Sequence, residues 1–383
     1  MRVLHWYPGF LHGGAVANAV RGLALAQSQL GVSVAIAASI YKNQPLYYPL
    51  TDLGSVKLLE WDPLFTIRYK KILLRILNKQ IVQQCLEFKP DIVHIHGEFN
   101  PDNLRVPLLF NRPVILSPRG GFHPAVMEKN LKHFKHMYFR LAQRICYKHV
   151  CAFHALSPME SGHISHLVRD SSVYCVPQGP NLRLMEEGYK PGLNKKSESI
   201  NLVFVGRLDV FTKGLDLLLE SVAHAIKAWK EKDIQLFLVG PDLNGGQQQL
   251  ERLAKELNIR KSVTFTGTLA GHELRRRLDS SDIYIQLSRH EALSSSALEA
   301  LCMKLPAILS ESVGLVSYPE VGDLPQVKKV KLSVQDISMA IIDFSQRVIE
   351  LKMIAAESSQ QLENFFSWER SARKHIENYE LHR

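Results

Sequence analysis

Short β-branched runs alternate with amphipathic helical stretches along this chain, and near residue 199 the same alternation starts afresh. In the first half the runs are RVLHWYP, VSVAIAAS, DIVHIH and PVILSP, with a helix predicted from Ala15 to Leu30 between the first two. In the second half they are NLVFVG, QLFLVG, VTFTG, DIYIQL and PAILS, separated by helical stretches such as LDLLLESVAHAIKAW and QQQLERLAKEL. Strands separated by helices imply a parallel sheet, because parallel neighbours need a long crossover connection. The restart implies two such α/β domains, and 383 residues of which 46% are hydrophobic suffice for two cores. The segment VPQGPNLRLMEEGYKPGLNKKSESI, around 177–199, is rich in Pro, Gly and charge and reads as the connection. The predicted domains are therefore 1–178 and 179–367, with WERSARKHIENYELHR (368–383) expected to pack back on the first.

Several function classes are disfavoured by residues that are missing. The glycines after the first strand read GFLHGGAVAN rather than GxGxxG, and the second strand ends in AAS without a ribose-binding acid. Both features argue against a nicotinamide enzyme. Cys85, Cys146, Cys151, Cys175 and Cys302 are odd in number and form no CxxC pair, so neither a disulfide framework nor a zinc site is expected. MRVLHWYPGF lacks the basic start and apolar core of a signal peptide, and no stretch of about 20 apolar residues occurs. A cytoplasmic protein, peripheral at most on the inner face of the plasma membrane, is expected.

Candidate chemistry collects at strand ends of the second half, where open parallel sheets bind ligands. NLVFVG runs into Arg207 and then Lys213, two fixed cations suited to a diphosphate. VTFTG ends on Gly267, where backbone could approach a flat base. In SRHEALSSSALEALCMKLPAILS, Glu291 and Glu299 are separated by seven residues, and Ser294, Ser295 and Ser296 open a helix whose free N–H groups would cradle phosphate. Glutamates at that spacing do not share one helical face, so Glu291 is assigned to the loop and Glu299 to the helix. Paired glutamates also suit a glycosidase, but a glycosidase has no use for the Arg207 and Lys213 pair.

With these residues the chain resembles glycosyltransferase family 4, whose motif is a glutamate pair with this spacing. GRLDVFTKGLDLLLES resembles the family's phosphate-binding segment, and FTGTLAGHELRRRLDSSDIYIQLSRHEALSSSALEAL its stretch from base to glutamates. GGAVAN resembles the first loop that lies against the donor phosphates, which brings in Gly13 and Gly14. PDIVHIHG matches the segment whose second histidine, His96, lines the reaction centre. SPRGGFHP resembles a segment of bacterial surface-polysaccharide members and offers Arg119 and His123 on the acceptor side. The chain departs from the family at Ala292, where Gly is usual, at MetLysLeuPro 303–306, and at ProGlnGly 177–179.

The resemblance implies a GT-B architecture, two Rossmann-like domains facing each other across a cleft, and transfer of a sugar to an acceptor hydroxyl with the donor's anomeric configuration retained. It implies that Arg207, Lys213 and the amides near Gly14 and Ser295 stabilise the leaving diphosphate, that Glu291 holds the sugar hydroxyls, that Leu293 is among the donor-binding residues and that Glu299 binds the ribose. No DxD-type motif sits where a metal-dependent transferase needs one, so no metal and no cofactor beyond the nucleotide sugar, a UDP-sugar, are expected. Lipopolysaccharide, capsule or exopolysaccharide synthesis is the expected setting. An epimerase-like GT-B enzyme and a non-catalytic nucleotide-sugar-binding protein are the alternatives. His94, next but one to His96, is taken to face the other side of its strand.

The charge points to a partner. Residues 1–178 carry 20 Lys and Arg against 10 Asp and Glu, which leaves 27 of each sign for 179–383 out of totals of 47 and 37. Two basic amphipathic helices are predicted, 68–79 (RYKKILLRILNK) and 128–149. In the second, Leu131, Phe134, Tyr138, Leu141 and Ile145 form the apolar stripe, while Lys129, Lys132, Lys135, Arg140, Arg144 and Lys148 lie largely off it. An anionic membrane surface and a glycan or lipid-linked acceptor are the partners expected. No recognition motif supports nucleic acid.

Overall fold

The computed structural model describes residues 1–40, 53–62, 66–69, 72–75, 79–97, 103, 105–128, 132–181 and 199–383. They divide into two compact units, Met1–Gly179 with Phe366–Arg383, and Pro180–Phe365.

The strands of the first unit are β1 (Arg2–Trp6), β2 (Ser33–Ser39), β3 (Lys57–Trp61), β4 (Thr66–Tyr69), β5 (Ile72–Arg75), β6 (Ile92–His96), β7 (Val114–Ser117), β8 (Val150–Ala155) and β9 (Ser172–Cys175). Seven form a parallel sheet in the order β3-β2-β1-β6-β7-β8-β9. Alternation along β1 sends Leu4 and Trp6 to one face, with Val93, Ile95, Leu116 and Phe153, and Val3 to the other, with Ile36, Ile92, Ile115 and Ala152. On that second face the positions toward the strand ends are polar yet buried: His5, His94, His96, Ser117 and His154.

The C-terminal helix Trp368–His382 packs on the helix Ala15–Gln29 of this unit. A Cβ at Gly22 would lie 2.4 Å from the Trp368 indole, and one at Gly179 2.7 Å from it. Glycine inside a helix costs about 1 kcal/mol relative to alanine, and at Gly22 the indole fills the space so created.

The helix predicted at 68–79 is not formed. Residues 66–69 and 72–75 are β4 and β5, an antiparallel pair in which Tyr69 is the partner of Ile72, and the next helix starts at Lys79. Thr66, Ile67, Tyr69 and Ile72 are β-branched or aromatic, and in so short a stretch that preference outweighs helical spacing. Lys70 and Lys71 lie outside the described residues.

The second unit holds β10 (Ser199–Val205), β11 (Asp233–Val239), β12 (Val263–Gly267), β13 (Ile283–Gln286), β14 (Ala307–Ser310) and β15 (Val327–Val330), all parallel, in the order β12-β11-β10-β13-β14-β15. Leu202, Phe204, Leu236, Leu238, Ile283 and Ile285 pack beneath Leu218, Leu219 and Val222 of the helix Leu215–Ala228 and Ile337, Ile341 and Phe344 of the helix Val334–Gln346. In each sheet the strand order reverses once, between β10 and β13 and between β1 and β6. Connections leave such a point in opposite directions, so a crevice opens beyond the carboxyl ends of those strands.

Candidate active site

At the reversal in the second unit the loops after β10 and β13 meet. Lys213, just before the helix Leu215–Ala228, donates from Nζ to Oε2 of Glu291, which lies on the loop after β13. Both side chains are largely shielded, at 14% and 25% exposure. Such a pair loses less to solvent screening than an exposed one. Glu291 is fixed through its backbone, donating to Ser312 O (3.2 Å) and accepting from Gly314 N (2.9 Å). Gln286 Nε2 lies 3.4 Å from Glu291 Oε2.

Arg289 fastens the two loops together. Its backbone N–H donates to Thr212 O, its guanidinium makes a bidentate pair with Asp216 at 2.8 Å on each arm and donates to Phe211 O, and its plane lies 4.3 Å above the Phe211 ring. Gly214 permits the approach: its φ is +63°, and a Cβ there would fall 2.1 Å from Leu287 O. Arg207, at the end of β10, is exposed, and its guanidinium makes no hydrogen bond or ion pair with a described residue. A cation in that state is available to an anionic ligand.

The serines and the second glutamate follow directly. Ser294 (φ +84°) caps the helix Ser295–Cys302, accepting from Ala297 N at 3.3 Å and donating to Gln286 Oε1 at 2.6 Å. The Tyr284 hydroxyl lies 2.8 Å from Gln286 Oε1 and 2.9 Å from Ser296 Oγ. Leu293 is buried, and Ser295 is the first residue of the helix. Glu299 lies within that helix, and burial pushes its carboxyl up to about 8, against the opposing pull of the Asn181 backbone. Gly267 ends β12 at φ +71° with open space on its Cβ side. The sequence reading missed Arg289, Asp216 and Gln286, none of which carries the motif: Gln286 touches Glu291 and Ser294, whereas Arg289 and Asp216 touch each other, with Arg289 also on the Phe211–Thr212 backbone just before Lys213.

In the first unit Gly14 (φ +89°) precedes the helix Ala15–Gln29 with no side-chain cap, and Gly13 (φ +74°) precedes it in turn. His96 ends β6 and is buried; Arg119 Nη2 lies 3.1 Å from its Nδ1. Burial and the Arg119 charge hold His96 well below the usual imidazole range. Arg119, in the left-handed region at φ +51°, also reaches Gln178 Oε1 at 3.1 Å. Its loop is clamped by buried Glu160, which accepts from Gly120 N (2.5 Å) and Leu156 N (2.7 Å). His123 belongs to the same loop, its backbone N–H donating to Gly120 O at 3.1 Å, and its ring lies 4.6 Å from that of His163.

His94 does not face away from His96. Strand side chains repeat every two residues, so positions 94 and 96 share a face, and the two rings lie 4.2 Å apart. His5, aligned with His94 on β1, joins them, its Nδ1 2.9 Å from His96 Nε2.

The model of "Glycosyltransferase Family 4" matches residues 13–183, and that of "Glycosyl transferases group 1" matches residues 185–354. The chain belongs to glycosyltransferase family 4. Among relatives of this family 4 chain, the GDP-mannose:cellobiosyl-diphosphopolyprenol alpha-mannosyltransferase of Xanthomonas oryzae pv. oryzae is 23% identical over 58% of the chain and 56% of its own length. The sulfoquinovosyl transferase SQD2 of Arabidopsis thaliana is 25% identical over 64% and 48%. The chain thus spans about half the length of the curated relatives it matches. Among solved structures, sucrose-phosphate synthase from Thermosynechococcus elongatus superposes with a TM-score of 0.74 at 17% identity, covering 99% of this chain and 98% of that one. HepE of Anabaena in complex with UDP and glucose gives 0.72 at 13% identity, covering 99% of both. The fold is accordingly GT-B.

One further surface of this family 4 chain departs from expectation. In the helix Lys132–Ile145, Tyr138 is buried, but Leu141 and Ile145 are 47% and 40% exposed, as is Met137 at 61%. The core-facing line runs instead through Tyr138, Phe139, Ala142 and, just beyond the helix, Cys146. Met137, Leu141 and Ile145 form a second line, spaced by four residues, that no described residue covers. His133, His136, Arg140 and Arg144 flank it. Lys135 is turned inward, donating to Val126 O at 2.5 Å. Leu131, Lys129 and the side chains of Lys132 and Phe134 lie outside the described residues. Among the described residues no helix is long and apolar enough to cross a membrane.

Proposed function

We propose that this protein transfers a sugar from a nucleoside diphosphate sugar, a UDP-sugar by preference, to an acceptor hydroxyl with retention of anomeric configuration and without a metal ion. The observation that carries the reading is the Lys213–Glu291 pair at the β10/β13 reversal, with Arg207, whose guanidinium pairs with no described residue, just beyond the same β10. As the bond from the anomeric carbon to the diphosphate breaks, negative charge gathers on the leaving group and positive charge on the sugar. Lys213 and Arg207 suit the first, and the Glu291 carboxylate suits the second. Fixed cations and helix N–H groups do here what a metal does in other transferases, so transfer should survive a chelator.

His96 and Arg119 of the first unit are assigned to the reacting end of the acceptor side, and Glu299 to the ribose. The acceptor proposed is a glycan or lipid-linked glycan of a surface polysaccharide, in keeping with the diphosphopolyprenol-linked acceptor in the name of the Xanthomonas relative. The exposed Met137, Leu141 and Ile145 line with Arg140 and Arg144 is proposed to rest on anionic lipid, apolar side chains entering the headgroup layer and each cation adding about 1 kcal/mol. Thermal-shift screening of UDP- and GDP-sugars identifies the donor, since a ligand of the folded state raises its melting temperature. The proton spectrum of the product then reports the anomeric configuration. An inverted product, or no stabilisation by any nucleotide sugar, overturns this reading.

A further inference from the structure

The polar layer of the first unit forms one continuous line of hydrogen bonds whose direction is fixed from both ends. Arginine only donates, so His96 Nδ1, 3.1 Å from Arg119 Nη2, must accept. A neutral His96 then carries its proton on Nε2 and donates to His5 Nδ1 at 2.9 Å. His5 in turn donates from Nε2 to Gln27 Oε1 at 2.8 Å, and Gln27 Nε2 donates to the Tyr379 hydroxyl at 3.3 Å. Tyr379 donates to His94 Nδ1 at 2.6 Å, and His94 donates from Nε2 to Ser117 Oγ at 2.6 Å. Ser117 donates to His154 Nδ1 at 2.6 Å, and His154 Nε2 ends the line on Val176 O at 2.8 Å.

Starting from the far end gives the same assignment, because a carbonyl only accepts. Val176 O requires a proton on His154 Nε2, and each earlier partner follows back to Arg119. Four neutral imidazoles, all protonated on Nε2, satisfy every link; one added proton would turn an acceptor into a donor facing a donor. Burial accordingly lowers His5 to about 4 and His154 to about 3, and holds His94 well below the usual range. His375 stands beside the line, its Nδ1 3.1 Å from the Tyr174 hydroxyl. A metal at His5, His94 and His96, whose ligand atoms lie within 4.8 Å of one another, would need lone pairs that this line uses, beside the Arg119 cation.

We propose that Tyr379, on the C-terminal helix, is a positioning residue for transfer: its hydroxyl joins the two halves of this line and, through Gln27 and His5, holds the His96 ring in place against the Arg119 guanidinium. The proposal rests on the assignment of His96 and Arg119 to the reaction. Two of its links, Tyr379 to His94 and to Gln27, span 285 and 352 positions, so the line is complete only with the C-terminal helix in place. Tyr379→Phe keeps the buried ring and removes only the hydroxyl, which leaves His94 Nδ1 without a donor and Gln27 Nε2 without an acceptor.

The test pairs imidazole nitrogen NMR with kinetics on the intact chain. His5, His94, His96 and His154 should each show a protonated Nε2 and a bare Nδ1 from pH 8 to pH 6. Tyr379→Phe should melt within a few degrees of wild type, shift the His94 and His96 nitrogens, and lower kcat about tenfold with the donor KM unchanged. A different tautomer at any of the four, or stoichiometric zinc(II) binding that displaces their protons, overturns the line. Wild-type kcat in Tyr379→Phe overturns the positioning role. The nitrogen spectra require no turnover, so an absence of transfer in the wild type would count against the proposed function and leave the line to be judged separately.

Discussion

Lys213 and Glu291 are 78 positions apart and meet as an ion pair where the second sheet reverses its strand order. One was assigned from its motif to the donor phosphates and the other to the sugar, and their contact puts both assignments in one place. An ammonium held on a carboxylate is oriented, and its remaining N–H groups can bridge to an incoming phosphate.

Arg289 is expected to matter nearly as much as the residues it positions. Arg289→Ala removes the bidentate pair with Asp216 and the bond to Phe211 O. At about 1.5–3 kcal/mol for charge-assisted bonds, kcat/KM should fall roughly tenfold to a hundredfold. Arg289→Lys should recover little, because an ammonium cannot reproduce the planar fork. Steady-state kinetics on both variants check this, and recovery by lysine counts against the fastening role.

Nucleotide binding should be coupled to proton release at Glu299. Burial raises this carboxyl to about 8, so it is mostly protonated at pH 7. Ribose hydroxyls donate best to the ionised form, so binding should release close to one proton per nucleotide at pH 7 and fewer above pH 8. Calorimetry in buffers of different ionisation enthalpy measures the number. A value of zero at pH 7 contradicts the ribose assignment.

Acid should destabilise the first unit before carboxylate titration begins. His5, His94, His96, His154 and His375 all lie below their unfolded value of 6.5, chiefly through burial. Below pH 6.5 the unfolded chain takes up protons that the folded unit refuses, so stability is full above 6.5 and is lost as pH falls toward 4. Each histidine contributes about 1.4 kcal/mol per pH unit over that window. Glu160, also in this unit, has the opposite sign: its carboxyl is raised by burial, so its contribution is full below 4.5 and lost as pH rises through its folded value. Five imidazoles outweigh one carboxyl, so thermal unfolding followed by circular dichroism should show this unit's midpoint dropping from pH 7 to pH 5. A flat or rising midpoint contradicts the neutral assignment.

Vesicle binding should track one helix face. Cosedimentation is expected to rise with anionic lipid, fall with salt, and weaken tenfold or more in the double variant Arg140→Glu, Arg144→Glu. Leu141→Asp should weaken it without altering the salt dependence. No binding to anionic vesicles at low salt removes the membrane proposal and leaves a water-soluble acceptor.

The strands at the centre of both sheets were legible because burial on both faces makes them continuous apolar runs, as in NLVFVG and PVILSP. β9 and β15 were not, since an edge strand such as VKKV exposes Lys328 and Lys329 and carries no apolar run. β8 hid behind the buried polar His154. The motif residues of the second unit were readable because their spacing in sequence is itself the signal. Arg289 with Asp216, and the line from Arg119 to Val176, were not: their partners come from distant elements, and no local pattern marks a histidine as one member among nine. The misplaced face of His94 was an error of period, and the helix expected at 68–79 came from reading basic spacing in a stretch whose apolar residues favour strands.

The central claim is that Lys213 and Glu291 act together on the leaving diphosphate and the sugar, and a double-mutant cycle on single-turnover transfer tests it most directly. With the donor found by screening and saturating, Lys213→Ala and Glu291→Gln should each slow transfer by about a hundredfold. Residues that act as a unit are not additive, so the double variant should be little slower than either single one, with the melting temperature of the second unit near that of wild type. Transfer at the wild-type rate in either single variant, or fully multiplicative losses in the double, would contradict the account.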